Sequence, residues 1–291
     1  MTAKDGSDAR VRAYRSGARI AREQMAREAP LDGEALAQID ASDILVVPGQ
    51  YDRVQLVLDA LQMPHTIVRP EHLESARLRP EQLLVVNCPG TVPRRAIGRV
   101  RQFVASGGSL FTTDWALRHV VEPAFPGLVA YNDRPTGDDV VRIEIREHDN
   151  PFLRGVMDSA DDPQWWLEGS SYPIRVLDPT RVHVLVRSAD LEARYGEAPV
   201  AVLFRHGEGE VFHMISHYYL QRTELRNERH HFAAASYAAQ KGVVADADLA
   251  MDMAGLSLGE VESAASSARL LGNVIAAKKR RTRAGSARKE G

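Results

Sequence analysis

The chain has 291 residues, 44% of them hydrophobic and 26% charged, which is the make-up of a globular protein long enough to bury a core in one large domain or two small ones. No stretch comes near the roughly 18 apolar residues of a membrane span, and the polar residues 1–18 lack a signal-peptide core, so no membrane partner is expected. A single cysteine excludes an intramolecular disulfide and suits a reducing cytoplasm. The net charge of −2 is unevenly spread: residues 278–291 carry seven Lys/Arg against one acid, Glu290, and the rest of the chain is acidic. That end reads as a solvated, disordered tail. Any contact with nucleic acid is expected to run through it alone, and it has no aromatic residue to stack on bases.

Residues 1–40 read as a charged lead-in and a helix with a thin apolar face of Ile20, Met25 and a few alanines. The first firm element is Asp-Ile-Leu-Val-Val-Pro-Gly-Gln at residues 43–50, an apolar run closed by Pro-Gly, the pattern of a strand buried on both faces. Val54, Leu56, Val57, Leu58 and Leu61 follow at helical spacing. Residues 65–68 read as a second strand and 82–86 as a third, ending at Asn87-Cys88-Pro89-Gly90. Pro93 opens a helix with Ile97, Val100, Phe103 and Val104 on its apolar side, closed by Gly107-Gly108. Residues 109–113 are a fourth strand, breaking into a helix at Asp114-Trp115. This alternation predicts an α/β fold, a flavodoxin-like, doubly wound, mostly parallel sheet whose ligands bind at the carboxyl ends of its strands.

The rhythm changes after Pro123. Residues 140–145 alternate apolar and charged, a strand with one wet face, and 183–186, 200–204 and 211–216 read as further strands, the last two joined by a tight turn at 207–210. They are expected as antiparallel and mixed additions to the same sheet. Residues 224–241 read as a helix, 242–255 as a linker and 256–279 as a C-terminal helix.

Four pieces of this order resemble the class I glutamine amidotransferase-like superfamily, specifically its ThuA-like (trehalose-utilisation-like) branch, across about residues 43–219. The third strand with its following helix is one. Asn150-Pro151-Phe152-Leu153-Arg154-Gly155-Val156 is similar to the family's His-Pro-Ile-Thr-x-Gly-Leu, with Asn150 in the histidine position. Trp166-Leu167-Glu168, with Tyr172 beyond it, is similar to Asp-Glu-x-Tyr, the first acid replaced. The run from Gly209 to His217 is similar to Gly-Arg-Val-Phe-Tyr and its closing Gly-His. The resemblance makes residues 41–241 an amidotransferase-like domain, followed by a linker and helix over 242–277 and the basic tail. It implies a nucleophilic cysteine, or in ThuA-like proteins a histidine, at the turn after the fourth strand. Here Asp114 stands in that place. A carboxylate is a far weaker nucleophile toward amides than a thiolate, so glutaminase activity is not expected. The resemblance also puts His217 in the position of the family's histidine base, with Glu168 as its acidic partner.

The candidate catalytic residues are therefore Asp114, His217 and Glu168; Asp114 reads as a helix N-cap, the common role of aspartate at a strand-to-helix junction, or else as a general base or a metal ligand. Gly49, Gln50, Asn87, Gly90, Trp115, Tyr218 and Gln221, all at strand carboxyl ends or beside them, are the candidate ligand-binding residues. Cys88 follows the third strand, one strand too early for the family's nucleophile, and reads as a small buried apolar residue. His213 and His217 would lie roughly 13 Å apart along a strand, and His230-His231 on a helix face different ways, so no dedicated metal site is expected. Trp165-Trp166 reads as core packing, and Arg222, Arg226 and Arg229 as a solvated helix face. No cofactor and no oligomeric state are legible. Two readings stand: a cytoplasmic binding or assembly module for a small-molecule or protein ligand, and a hydrolase or carbohydrate-modifying enzyme using an Asp/Glu/His cluster, with or without a divalent metal at its centre. In both, residues 216–223 are expected to line the crevice beside Asp114 and Trp115.

Overall fold

The computed structural model describes residues 3–215, 217 and 224–290. Its first half runs α1 (Ala3–Glu28), α2 (Pro30–Leu36), β1 (Ile44–Val47), α3 (Val54–Ala60), β2 (Thr66–Ile67), β3 (Leu83–Val86), α4 (Arg94–Ala105), β4 (Ser109–Thr113) and a π turn at Leu117–Val121 leading into α5 (Glu122–Ala124). The second half runs β5 (Val129–Tyr131), β6 (Asp139–Arg142), β7 (Glu144–Ile145), β8 (Gln164–Leu167), β9 (Ile174–Val176), β10 (Val182–Arg187), α6 (Ala189–Tyr195), β11 (Pro199–His206) and β12 (Gly209–Met214). Three helices follow: α7 (Ala234–Gln240), α8 (Ala247–Met253) and α9 (Leu258–Glu290).

The main sheet has eight strands in the order β2-β1-β3-β4-β12-β11-β10-β7. The first five positions are parallel, in the flavodoxin-like order with β12 as fifth strand, and the order reverses between β1 and β3. β11, β10 and β7 extend it antiparallel, so the second half does add to the same sheet. Two short ladders, β5 with β9 and β6 with β8, stand apart. Every residue of β1, β3, β4 and β12 is buried, as strands covered on both faces require. On α4, Val100, Phe103 and Val104 form the face turned inward.

Several expectations need correcting. Residues 140–145 are two strands, because the chain changes partner at Ile143: β6 pairs with β8 and β7 with β10. Residues 224–241 are not one helix. A 3-10 turn at Glu228–His231 gives way to extended backbone at Phe232 and Ala233, where Leu258 N–H donates to the Phe232 carbonyl and Ala233 bridges Ser257. The linker at 242–255 contains α8, capped by the Asp246 side chain, with Leu249 and Met253 in a second small core beside Ile20, Tyr237 and Val261. The lead-in is a full helix packed along α9 so closely that a Cβ on Gly17 would stand 2.6 Å from Ala265 N.

The basic tail is the largest correction, because α9 continues through it to Glu290. Lys278 donates to the carbonyls of Pro80 and Gly107, Lys279 pairs with Asp43, Arg280 with Asp32 and Arg281 with Glu210. Apart from Asp32, on α2, these partners mark the amino ends of β1, β3, β4 and β12. The charge reads as a tail in sequence because its acceptors are scattered over the first 210 residues.

Candidate functional site

The opposite, carboxyl edge of the sheet carries the site. β4 ends in Thr113, and Asp114 turns with φ at 45°, a left-handed conformation that aspartate tolerates better than most residues. Its N–H still bonds the Met214 carbonyl at 2.8 Å, so the turn begins while the ladder to β12 is intact. The Asp114 carboxylate is 2% exposed. Oδ1 accepts from the Tyr172 N–H at 2.7 Å, Oδ2 accepts from the Ser171 hydroxyl at 3.0 Å, and Oδ2 lies 3.2 Å from His217 Nε2. The following turn is entered through Ala116 with no side-chain cap, so of the readings open to Asp114 in sequence, the N-cap is set aside.

His217 is buried, with Nε2 toward Asp114 and Nδ1 against the Glu168 carboxylate at the end of β8. The three candidates therefore converge. Burial alone would lower the His217 pKa, but Asp114, Cys88 and Glu168 outweigh it and hold the ring protonated well beyond its ordinary value. Burial raises Asp114 in turn, offset in part by His217. Both shifts keep a proton within the pair.

Cys88, set aside in sequence, belongs to this cluster. Its thiol, an Asp114 carboxylate oxygen and a His217 ring nitrogen all lie within 4.8 Å of one another. Burial pushes the thiol pKa up, against the pull of His217. Beneath it, the Cys88 N–H donates to Thr113 Oγ1 at 3.1 Å, and that hydroxyl donates to the wholly buried Asp52 at 2.5 Å. Asp52, a third carboxylate here, carried no sequence signal, and neither did Ser171 or Thr113.

The candidate ligand-binding residues divide. Trp115 packs edge-on to Tyr51 and stacks on Tyr172, which stacks on Tyr131 at 3.8 Å, and its indole N–H donates to the Ser170 carbonyl. Tyr51 is 44% exposed, so this aromatic row reaches the surface. Gly49 serves spacing: a Cβ there would stand 1.8 Å from the Cys88 carbonyl oxygen. Gly90, at φ 72°, lets its loop press on Ala116. Asn87 is buried and donates to Gln55, tying β3 to α3, while Gln50 is exposed on the loop after β1. Tyr218, Gln221 and most of the segment 216–223 lie outside the described residues, as does Arg222.

Other side chains weighed from sequence have local partners. His213 sits inside β12 on Thr112, and burial lowers its pKa to about 3. Trp165 and Trp166 are both buried, and Trp166 donates to Asp138. The arginines expected on a solvated face are engaged, Arg226 with Glu224 and Arg229 with the buried Glu262.

No protein-family model matches the chain, and no curated protein matches it. Solved structures do resemble it. They include a protein described as ThuA-like from Bacteroides uniformis, 12% identical over 61% of this chain and 81% of its own, with a TM-score of 0.43. A protein from Thermoplasma acidophilum, described as belonging to a GMP synthase, is 16% identical over 62% of this chain and 84% of its own, TM-score 0.44. A β-galactosidase from Rahnella sp. R3 is 13% identical over 62% of this chain with a TM-score of 0.44, and the match spans only 29% of that enzyme. The fold is flavodoxin-like by its strand order. That rests on the sheet itself.

Proposed function

We propose that the chain is a cytoplasmic, amidotransferase-like domain that has lost the glutaminase step and binds a small polar ligand at the carboxyl edge of its sheet. The observation that carries this reading is the state of Asp114. The residue at the elbow is a carboxylate, and Ser171, Tyr172 and His217 all hold it. A carboxylate so engaged is a fixed charge rather than an attacking group, and His217, with carboxylates at both ring nitrogens, is held as a cation and makes a poor base. The row Tyr51, Trp115 and Tyr172 supplies the apolar wall that small-molecule sites combine with a few polar groups. An assembly role through a protein ligand is the same reading with a larger occupant.

Thermal-shift screening of polar metabolite classes tests it. A ligand that raises the Tm of the wild type and leaves Asp114→Ala unmoved supports the site, and a screen in which both respond alike contradicts it. The convergence of Asp114, Glu168 and His217 favours a second reading, acid–base hydrolysis without a nucleophilic thiol. Hydrolysis of amides, esters or glycosides that disappears in Asp114→Ala would establish that reading instead.

A further inference from the structure

A sulfur, an oxygen and a nitrogen donor meet at one point of the sheet edge, on three side chains that are all buried. We propose that Cys88, Asp114 and His217 bind a divalent transition-metal ion of the zinc type. This goes beyond the ligand-binding reading and does not depend on it.

Donor chemistry is the first support. Thiolate, imidazole and carboxylate are the three ligand types zinc takes, and three protein ligands with one further position is the make-up of its non-structural sites. Geometry is the second. Two N or O donors, each about 2.0–2.1 Å from a tetrahedral ion, stand about 3.3 Å apart. Asp114 Oδ2 and His217 Nε2 are 3.2 Å apart, the length of one edge of such a tetrahedron. The thiol lies within 4.8 Å of a carboxylate oxygen of Asp114 and a ring nitrogen of His217, so closing the remaining edges to about 3.6 Å is a matter of side-chain adjustment.

The surroundings of the three donors form an independent third support. Histidines that ligate metal hand their other ring N–H to a carboxylate or carbonyl, which fixes the ring and raises its basicity. Glu168 takes that part at Nδ1 and leaves Nε2 aimed at Asp114. Asp114 is oriented by Ser171 and Tyr172. The Cys88 backbone is pinned through Thr113 to Asp52. Each donor is thus positioned by a partner that does not itself join the group of three.

Charge balances. A thiolate and a carboxylate offset the two positive charges of the ion, with the imidazole neutral. On binding, the Cys88 thiol proton and the proton held between Asp114 and His217 leave to solvent, so affinity falls as pH is lowered.

The test uses the metal-free, tag-free full chain titrated with Co2+. The chain has one cysteine, so a thiolate-to-cobalt charge-transfer band can come only from Cys88. The expected result is a band that saturates at one equivalent, is abolished by Zn2+ and is absent in Cys88→Ser. Glu168→Gln, which removes no ligand, should weaken binding about 10–100-fold. A folded wild type that shows no charge-transfer band at one equivalent overturns the proposal. So does a band whose titration is unchanged in Asp114→Asn and His217→Gln. The ligand screen above can fail without affecting either result.

Discussion

Val86 lies opposite Thr112 in the parallel ladder between β3 and β4, and two residues further along that register the chain delivers Cys88 and Asp114 to the same edge. β12 completes the cluster in the same way. Its Met214 pairs with Thr113, and the Asp114 N–H bonds the Met214 carbonyl before the chain reaches His217. Three segments far apart in sequence become one site because three neighbouring strands end level.

The Asp114 carboxylate should therefore matter to stability as well as to ligands. Asp114→Ala leaves a buried imidazolium, a hydroxyl and a backbone N–H without their acceptor, and should cost about 3–5 kcal/mol. Asp114→Asn keeps an acceptor and tolerates the left-handed backbone, and should cost less than half of that. Urea unfolding of the two variants at neutral pH checks the ordering.

How much of this was legible in the sequence follows the same physics. The strand cores of β1 and β3 are readable as unbroken apolar runs, and β4 as a short strand between Gly107-Gly108 and the break at Asp114-Trp115. The place of Cys88 was not readable, because one strand earlier in sequence is next door in a parallel sheet. The α8 helix was missed because its seven residues bury only Leu249, Asp252 and Met253. The basic end of α9 was missed because charge alone does not reveal that acids and carbonyls at the far sheet edge await it.

Spacing at the edge should be intolerant of a single methyl group. In Gly49→Ala the new Cβ would meet the Cys88 carbonyl at 1.8 Å, backbone that has little freedom to move. The expected cost is at least about 1–3 kcal/mol, together with loss of the Cys88–Asp114–His217 arrangement. Unfolding midpoints and histidine NMR shifts report the two effects separately.

His213 predicts a pH dependence. It is buried neutral with a pKa lowered to about 3, while the unfolded chain titrates it near 6.5. Below about pH 6.5 the unfolded state takes up a proton the folded state refuses, so this group makes stability fall as pH drops toward 3, by up to about 1.4 kcal/mol per pH unit. His213→Gln should flatten that part of the acid limb relative to wild type. Equal slopes for the two proteins between pH 6 and 4 would contradict the assignment.

Lys278 tests the anchoring of α9. Its ammonium is nearly buried on the carbonyls of Pro80 and Gly107, and burial lowers its pKa to about 8. Lys278→Ala removes both bonds and leaves two carbonyls unsatisfied, an expected loss of about 1–3 kcal/mol at neutral pH. Arg283→Ala, at an exposed position farther along the basic segment, serves as the comparison in urea unfolding.

The central claim is that this edge of the sheet holds its ligand and leaves it intact. The most direct measurement is mass-spectrometric analysis of a stabilising ligand after prolonged incubation with the wild type and with Asp114→Ala. Recovery of the ligand unchanged from both proteins, with its stabilising effect confined to the wild type, is the predicted result. A hydrolysis product that forms with the wild type and vanishes with Asp114→Ala would contradict the account.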